Sequence, residues 1–149
     1  MKPEEHRQLG VDLYNQTWTL MQRSDRAPAD DDEMLHCAHA SAYHWLQVGT
    51  HANRARSEWL CSRVYTVLAL PEPALRHARR SFELVESAPD EMEDWDLAAA
   101  HEALARAYAT AGDADAARRH LGLGRRALGR IADDEDRGHI ESDLATIPI

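Results

Sequence analysis

Between Asp31 and Val48 the apolar residues Met34, Leu35, Ala38, Ala42, Trp45 and Leu46 recur every three or four positions. Wound at about 100° per residue, they share one side of a helix, while Asp32, Glu33, His36, His39, Tyr43, His44 and Gln47 share the other. The same spacing runs through most of the chain. Alternating apolar and polar runs of strand length are missing, and Ala, Leu, Arg and Glu, all strong helix formers, dominate.

Proline, glycine and aspartate divide this pattern into seven helices. The first spans about Pro3 to Arg23 and is followed by the loop SDRAPADD. The second runs from about Asp31 to Val48 and stops at Gly49; the third runs from about Asn53 to Leu70. Pro71 and Pro73 then open a fourth that ends near Ser87. The fifth begins in the acidic stretch DEMEDWD and ends at Gly112. Asp113 caps a sixth reaching about Ile131, and Asp133 to Asp136 open a short seventh before Pro148.

Two stretches repeat. In LARAYATAGDADAARRHL, residues Leu104, Ala105 and Tyr108 pack a first helix, Gly112 and Asp113 make the turn, and Ala117 and Leu121 pack a second. Ser62, Tyr65, Ala69, Ala74 and Ala78 occupy the matching places 43 positions earlier, and Ala40 precedes Ala74 by 34. Over residues 30 to 131 the chain resembles the tetratricopeptide repeat proteins. The tryptophan expected early in each unit and the proline closing it are missing or displaced. The resemblance implies an all-α fold, with antiparallel helical hairpins stacked in a right-handed array over residues 1–149 as one domain. It also implies a concave groove that binds a partner. A compact antiparallel bundle is the alternative layout.

A chain of 149 residues with 44% hydrophobic content has room for one ordinary core. Its 26 acidic and 17 basic residues give a net charge of −9, which argues against a nucleic-acid partner. The longest apolar run, Val67 to Leu70, is far too short for a membrane span. The opening MKPEEHRQLG lacks the pattern of a secretory signal, and Cys37 and Cys61 suggest no disulfide framework; a cytoplasmic location is the expectation.

Candidate chemistry falls in two places. In HCAHASAYHW, His36 to Trp45, three histidines and a tyrosine occupy a helix face with no lysine or arginine between Asp31 and Val48. Imidazole and phenol suit a recessed hydrogen-bonding surface, so His36, His39 and Tyr43 are candidate ligand contacts. Glu33, His36, His39 and His44 are also a candidate set for a divalent metal ion, or for acid–base work by a small helical enzyme. A plain polar helix face is the third reading.

The second place follows from the repeat register. Arg56, Trp59 and Arg63 on the third helix, and Ala99, Glu102 and Arg106 on the fifth, sit where first helices line a concave face; His101 neighbours them. Gln8, Asp12, Asn15 and Gln16 are the candidates from the first helix. Three arginines beside a flat indole suit a peptide or small anionic ligand, and self-association of the array is a variant of that reading. The lysines and asparagines of the family's peptide-carboxylate clamp are absent, so that activity is not carried over.

Two further patterns carry no site. GLGRRA, Gly122 to Ala127, fits a phosphate-cradling fingerprint, but no strand precedes it. Arg118, Arg119, Arg125, Arg126 and Arg130 read as a solvated stripe before an acidic run. No serine sits in the strained turn of a catalytic nucleophile.

Overall fold

Pro3, Pro28 and Pro71 each open a helix in the computed structural model, which describes residues 1–149. Proline suits that position because a first-turn N–H has no intrahelical acceptor to lose. The helices are α1 (Pro3–Met21), α2 (Pro28–Val48), α3 (His51–Val67), α4 (Pro71–Ser87), α5 (Asp96–Thr110), α6 (Ala114–Ala127) and α7 (Asp134–Ala145). There is no strand. Thr50, Asp113 and Asp133 cap α3, α6 and α7 by accepting from the amides of Asn53, Ala116 and Asp136.

Several boundaries differ from expectation. α2 starts three residues earlier, at Pro28, because Ala27 and Asp30 supply a cap there. The acidic stretch before α5 is not helix: Pro89–Glu91 forms one 3-10 turn, and α5 begins only at Asp96. α6 ends at Ala127 and tightens into a 3-10 turn over Leu128–Arg130.

Three hairpins stack in order: α1 with α2, α3 with α4, α5 with α6. Neighbouring hairpins join through α2 on α3, and through α3 and α4 on α5, while α7 packs on α5 and α6. Small residues set this spacing. Ala55, Ala74, Ala78, Ala98, Ala105 and Ala117 are all buried between helices. Met34, Leu60 and Val64 fill the layer between the first two hairpins, and Ile131, Ile140 and Leu144 fill the layer under α7. Gly124 admits α7 closely, since a Cβ there would meet Leu144 Cδ2 at 3.0 Å. That is the packing role of GLGRRA.

The same joints recur. Ser41 Oγ on α2 donates to the Gly10 carbonyl on α1 at 2.6 Å, and Ser81 Oγ on α4 donates to the Ala55 carbonyl on α3 at 2.8 Å. These bonds match Ser41 to Ser81, 40 positions on, so the 34-residue spacing of Ala40 and Ala74 is not the structural register of these two hairpins. Tyr65 stacks on His77 with centroids 5.5 Å apart, and Tyr108 stacks on His120 at the same distance, 43 positions along.

The hairpin turns also correspond. Ala69 and Gly112 both have positive φ, 58° and 80°. The following amides, of Leu70 and Asp113, donate back to the carbonyls of Tyr65 and Tyr108. The left-handed conformation costs an alanine about 1 kcal/mol. Ala69→Gly is therefore expected to raise stability by about 0.5–1 kcal/mol, and Gly112→Ala to lower it by about 1 kcal/mol. A Cβ at Gly112 meets nothing within 4 Å, so urea unfolding of that variant reads the backbone term alone. A neutral result at both positions would contradict the assignment.

Candidate functional site

α1, α3, α5 and α7 turn one face inward around a cavity of about 470 Å³. Each contributes by helical periodicity. Tyr14 and Trp18 on α1 are one turn apart, as are Arg56 and Trp59 on α3 and, on α7, Asp136, His139, Ile140 and Asp143. Trp95 and Asp96 stand at the start of α5, and Ala55, Ala100 and Val85 close the bottom. Trp18 and Trp59 meet with ring centroids 5.9 Å apart and planes tilted by 30°. Burial pushes the Tyr14 phenol above its ordinary pKa.

The arginines of this face are already engaged. Arg56 donates from Nε and Nη2 to the two carboxylate oxygens of Asp96, at 3.0 and 2.8 Å. The guanidinium carbon also lies 4.4 Å from the centre of the Trp95 ring. Asp96 Oδ2 in turn accepts from the Glu93 amide at 2.8 Å. Deeper, Glu102 is 2% exposed and is fully satisfied. It accepts from Trp59 Nε1 at 2.8 Å, Arg63 Nη1 at 3.1 Å and Arg106 Nε at 2.7 Å. Arg106 Nη2 reaches on to the Asp143 carbonyl at 2.8 Å and Thr146 Oγ1 at 2.7 Å, tying α5 to α7. Burial pulls Arg63 below its ordinary pKa, while Glu102 opposes that shift.

The sequence thus located part of this face. Arg56, Trp59, Arg63, Glu102 and Arg106 come together as the register implied. His101 does not belong to them: it faces α6, where its Nδ1 lies 3.2 Å from that of His120, and it packs on Phe82 of α4. From α1 the cavity takes Tyr14, Trp18 and Gln22 in place of Gln8, Asp12, Asn15 and Gln16; Asn15 lines a smaller neighbouring recess. Trp95 and Asp96 went unseen because they sit in the acidic linker. Asp143 lies on a seventh helix outside the repeat. The Tyr14–Trp18 pair, one turn apart on α1, was the legible signal for the first wall.

α2 contributes nothing to the cavity. Its histidine face looks outward, and its members part company. Glu33 and His36 are exposed, and Tyr43 is 56% exposed. His44 Nδ1 lies 2.9 Å from His6 Nδ1 on α1. His39 turns toward α3, with Nε2 at 2.9 Å from the Tyr65 hydroxyl and Nδ1 at 3.9 Å from Cys61 Sγ. Glu33, His36, His39 and His44 therefore do not converge, and nowhere do three His, Cys, Asp or Glu side chains meet in an arrangement able to hold a metal ion. The metal reading of this set, one of the three open to that face, finds no three converging ligands in the fold. The helix geometry gives the reason: His39 and His44 are five positions apart and point in different directions.

Beside His39, His77 Nδ1 lies 2.5 Å from Glu58 Oε2, and the rings of His39 and His77 are 5.3 Å apart. Burial and His77 hold His39 below its ordinary pKa. Burial pushes the Cys61 thiol up to about 12, and raises Cys37 as well. Burial thus favours the protonated thiol at both positions near neutrality.

Comparison with known protein families, curated proteins and solved structures finds no match to this chain. No helix is long and apolar enough to cross a membrane.

Proposed function

We propose that this protein is a binding module whose inward groove receives a peptide side chain or a small organic ligand. One observation carries the reading: a cavity of about 470 Å³ walled by Tyr14, Trp18, Trp59 and Trp95 at the meeting of four helices. Cavities of roughly 300–1,000 Å³ with apolar walls and a few placed polar groups are the usual form of a ligand site. Aromatic walls offer large contact area at low conformational cost. The paired ions beneath hold those walls in place. The mostly aromatic and apolar walls support binding rather than turnover.

The four tryptophans supply a direct test. Three line the cavity, and Trp45 lies outside it. In an indole N–H correlation spectrum, titration with small aromatic and apolar fragments is expected to move the signals of Trp18, Trp59 and Trp95 and leave Trp45 in place. Ala99→Phe places a ring on the cavity wall from α5 and is expected to weaken such binding at least about tenfold. Equal shifts of all four indoles, or unaltered binding by Ala99→Phe, would remove the groove reading.

A further inference from the structure

The charge that a ligand would meet in this cavity is opposite to the one that an arginine count suggests. Among the residues lining it, Arg56 stands against Asp96, Asp136 and Asp143. Beneath the wall, Arg63 and Arg106 share Glu102, which leaves one positive charge over. The groove as a whole is net negative by one, within a chain of net charge −9.

The availability of these groups differs more than their number. Arg56 already gives Nε and Nη2 to Asp96, which is itself anchored by the Glu93 amide, so a ligand carboxylate would meet only the Nη1 edge of the guanidinium, beside an anion. Arg106 spends Nε on Glu102 and Nη2 on Asp143 and Thr146. By contrast, nothing in the protein donates a hydrogen bond to the carboxylate of Asp143, whose side chain is only 19% exposed. His139 Nε2 approaches it no closer than 3.9 Å. Asp136, two turns away, lines the same wall. A carboxylate this covered and this lightly paired favours a partner that brings both positive charge and N–H donors.

We infer that the ligand of this cavity is an organic cation, an ammonium or guanidinium on an apolar or aromatic stem, with its head held by Asp143 and its stem against the tryptophans. The inference rests on the groove reading given above and fixes the sign of the charge within it.

Three phenyl-stem probes of similar size and different charge decide the matter: 2-phenylethylamine, 2-phenylethanol and 3-phenylpropionate, titrated into the full chain at pH 7 and followed by the indole signals. The amine is expected to bind about tenfold tighter than the alcohol, with the carboxylate weakest. Asp143→Asn is expected to abolish most of the amine's advantage. That variant should fold, because the Asp143 group that ties down Arg106 is the main-chain carbonyl and not the side chain. Asp136→Asn, at an exposed position, is expected to lower the advantage by a smaller factor. Tighter binding of the carboxylate, equal binding of all three, or an amine preference intact in Asp143→Asn would overturn the cation assignment and leave the groove standing. No binding of any probe would overturn both.

Discussion

Glu102→Ala is expected to lower the unfolding free energy by about 3–5 kcal/mol, because it strips a buried charge network of its only anion. Arg63 and Arg106 would face each other without a counter-ion, and the Trp59 N–H would lose its acceptor. For a chain of this length the loss corresponds to a fall in Tm of roughly 8–16 °C. Urea unfolding followed by tryptophan fluorescence measures it, with an unchanged m-value showing that the denatured state is not the cause. Glu102→Gln keeps the shape and one acceptor, and is expected to cost less, about 2–3 kcal/mol. The triple replacement Arg63→Met, Glu102→Leu, Arg106→Met removes the whole network at once and is expected to be milder than Glu102→Ala alone, since no charge is left stranded. A loss under about 1 kcal/mol for Glu102→Ala would show that the network is not the strut between α3, α5 and α7 described here.

The second large effect is on acid stability. Burial and the neighbouring His120 push His101 down to about 4, and burial and Arg119 push His120 below its ordinary value. His101 is 7% exposed, packed on Phe82 and stacked against His120, which in turn stacks on Tyr108. The two Nδ1 atoms lie 3.2 Å apart, so one ring donates while the other accepts, and both cannot be protonated there. In the unfolded chain His101 returns to about 6.5. As pH falls from 6.5 toward 4, the unfolded state takes up a proton that the folded state refuses. Stability is therefore full above pH 6.5 and lost progressively as pH falls to about 4. One pKa unit is worth about 1.4 kcal/mol, so the shift of His101 from 6.5 to about 4 corresponds to about 3 kcal/mol lost across that window.

His39, also held low by burial and by His77, adds a loss of the same sign between α2 and α4. Unfolding free energies measured from pH 7.5 to 4.5 should fall, and His101→Gln, which keeps a partner for His120, should flatten the upper part of that fall. Parallel profiles for the two proteins would remove His101 as the cause. Hairpin separation in mild acid would be one consequence, since these pairs lie at helix–helix joints.

How much of this was legible follows from which quantities are local. The helices were legible because their signals are carried by neighbours in the chain: proline in a first turn, Asp113 and Asp133 as caps, apolar residues every three or four positions. The 43-residue correspondence of Tyr65 with Tyr108 and of Ala69 with Gly112 was legible for the same reason, as a repeated local pattern. Periodicity then placed Arg56, Trp59, Arg63, Glu102 and Arg106 on one face, because a helix fixes the relative direction of its own side chains.

What each face meets is a different kind of quantity. The sequence by itself determined the all-helical hairpins and the residues that turn together. Only the tertiary structure decided that Arg56 finds Asp96 forty positions away, that Glu102 bridges Arg63 and Arg106, and that His39 leaves its helix neighbours for Tyr65. The arginines promised an anion site, and the fold paired them with carboxylates. The histidines of α2 promised a shared site, and the fold gave His39 and His44 partners on different helices. α7, outside the repeat, closed the groove with Asp143 and its neighbours. The physical reason is one of range. Direction along a helix is set by backbone dihedrals a few residues apart, whereas electrostatic pairing and burial depend on distances between segments far apart in the chain, which no local pattern contains.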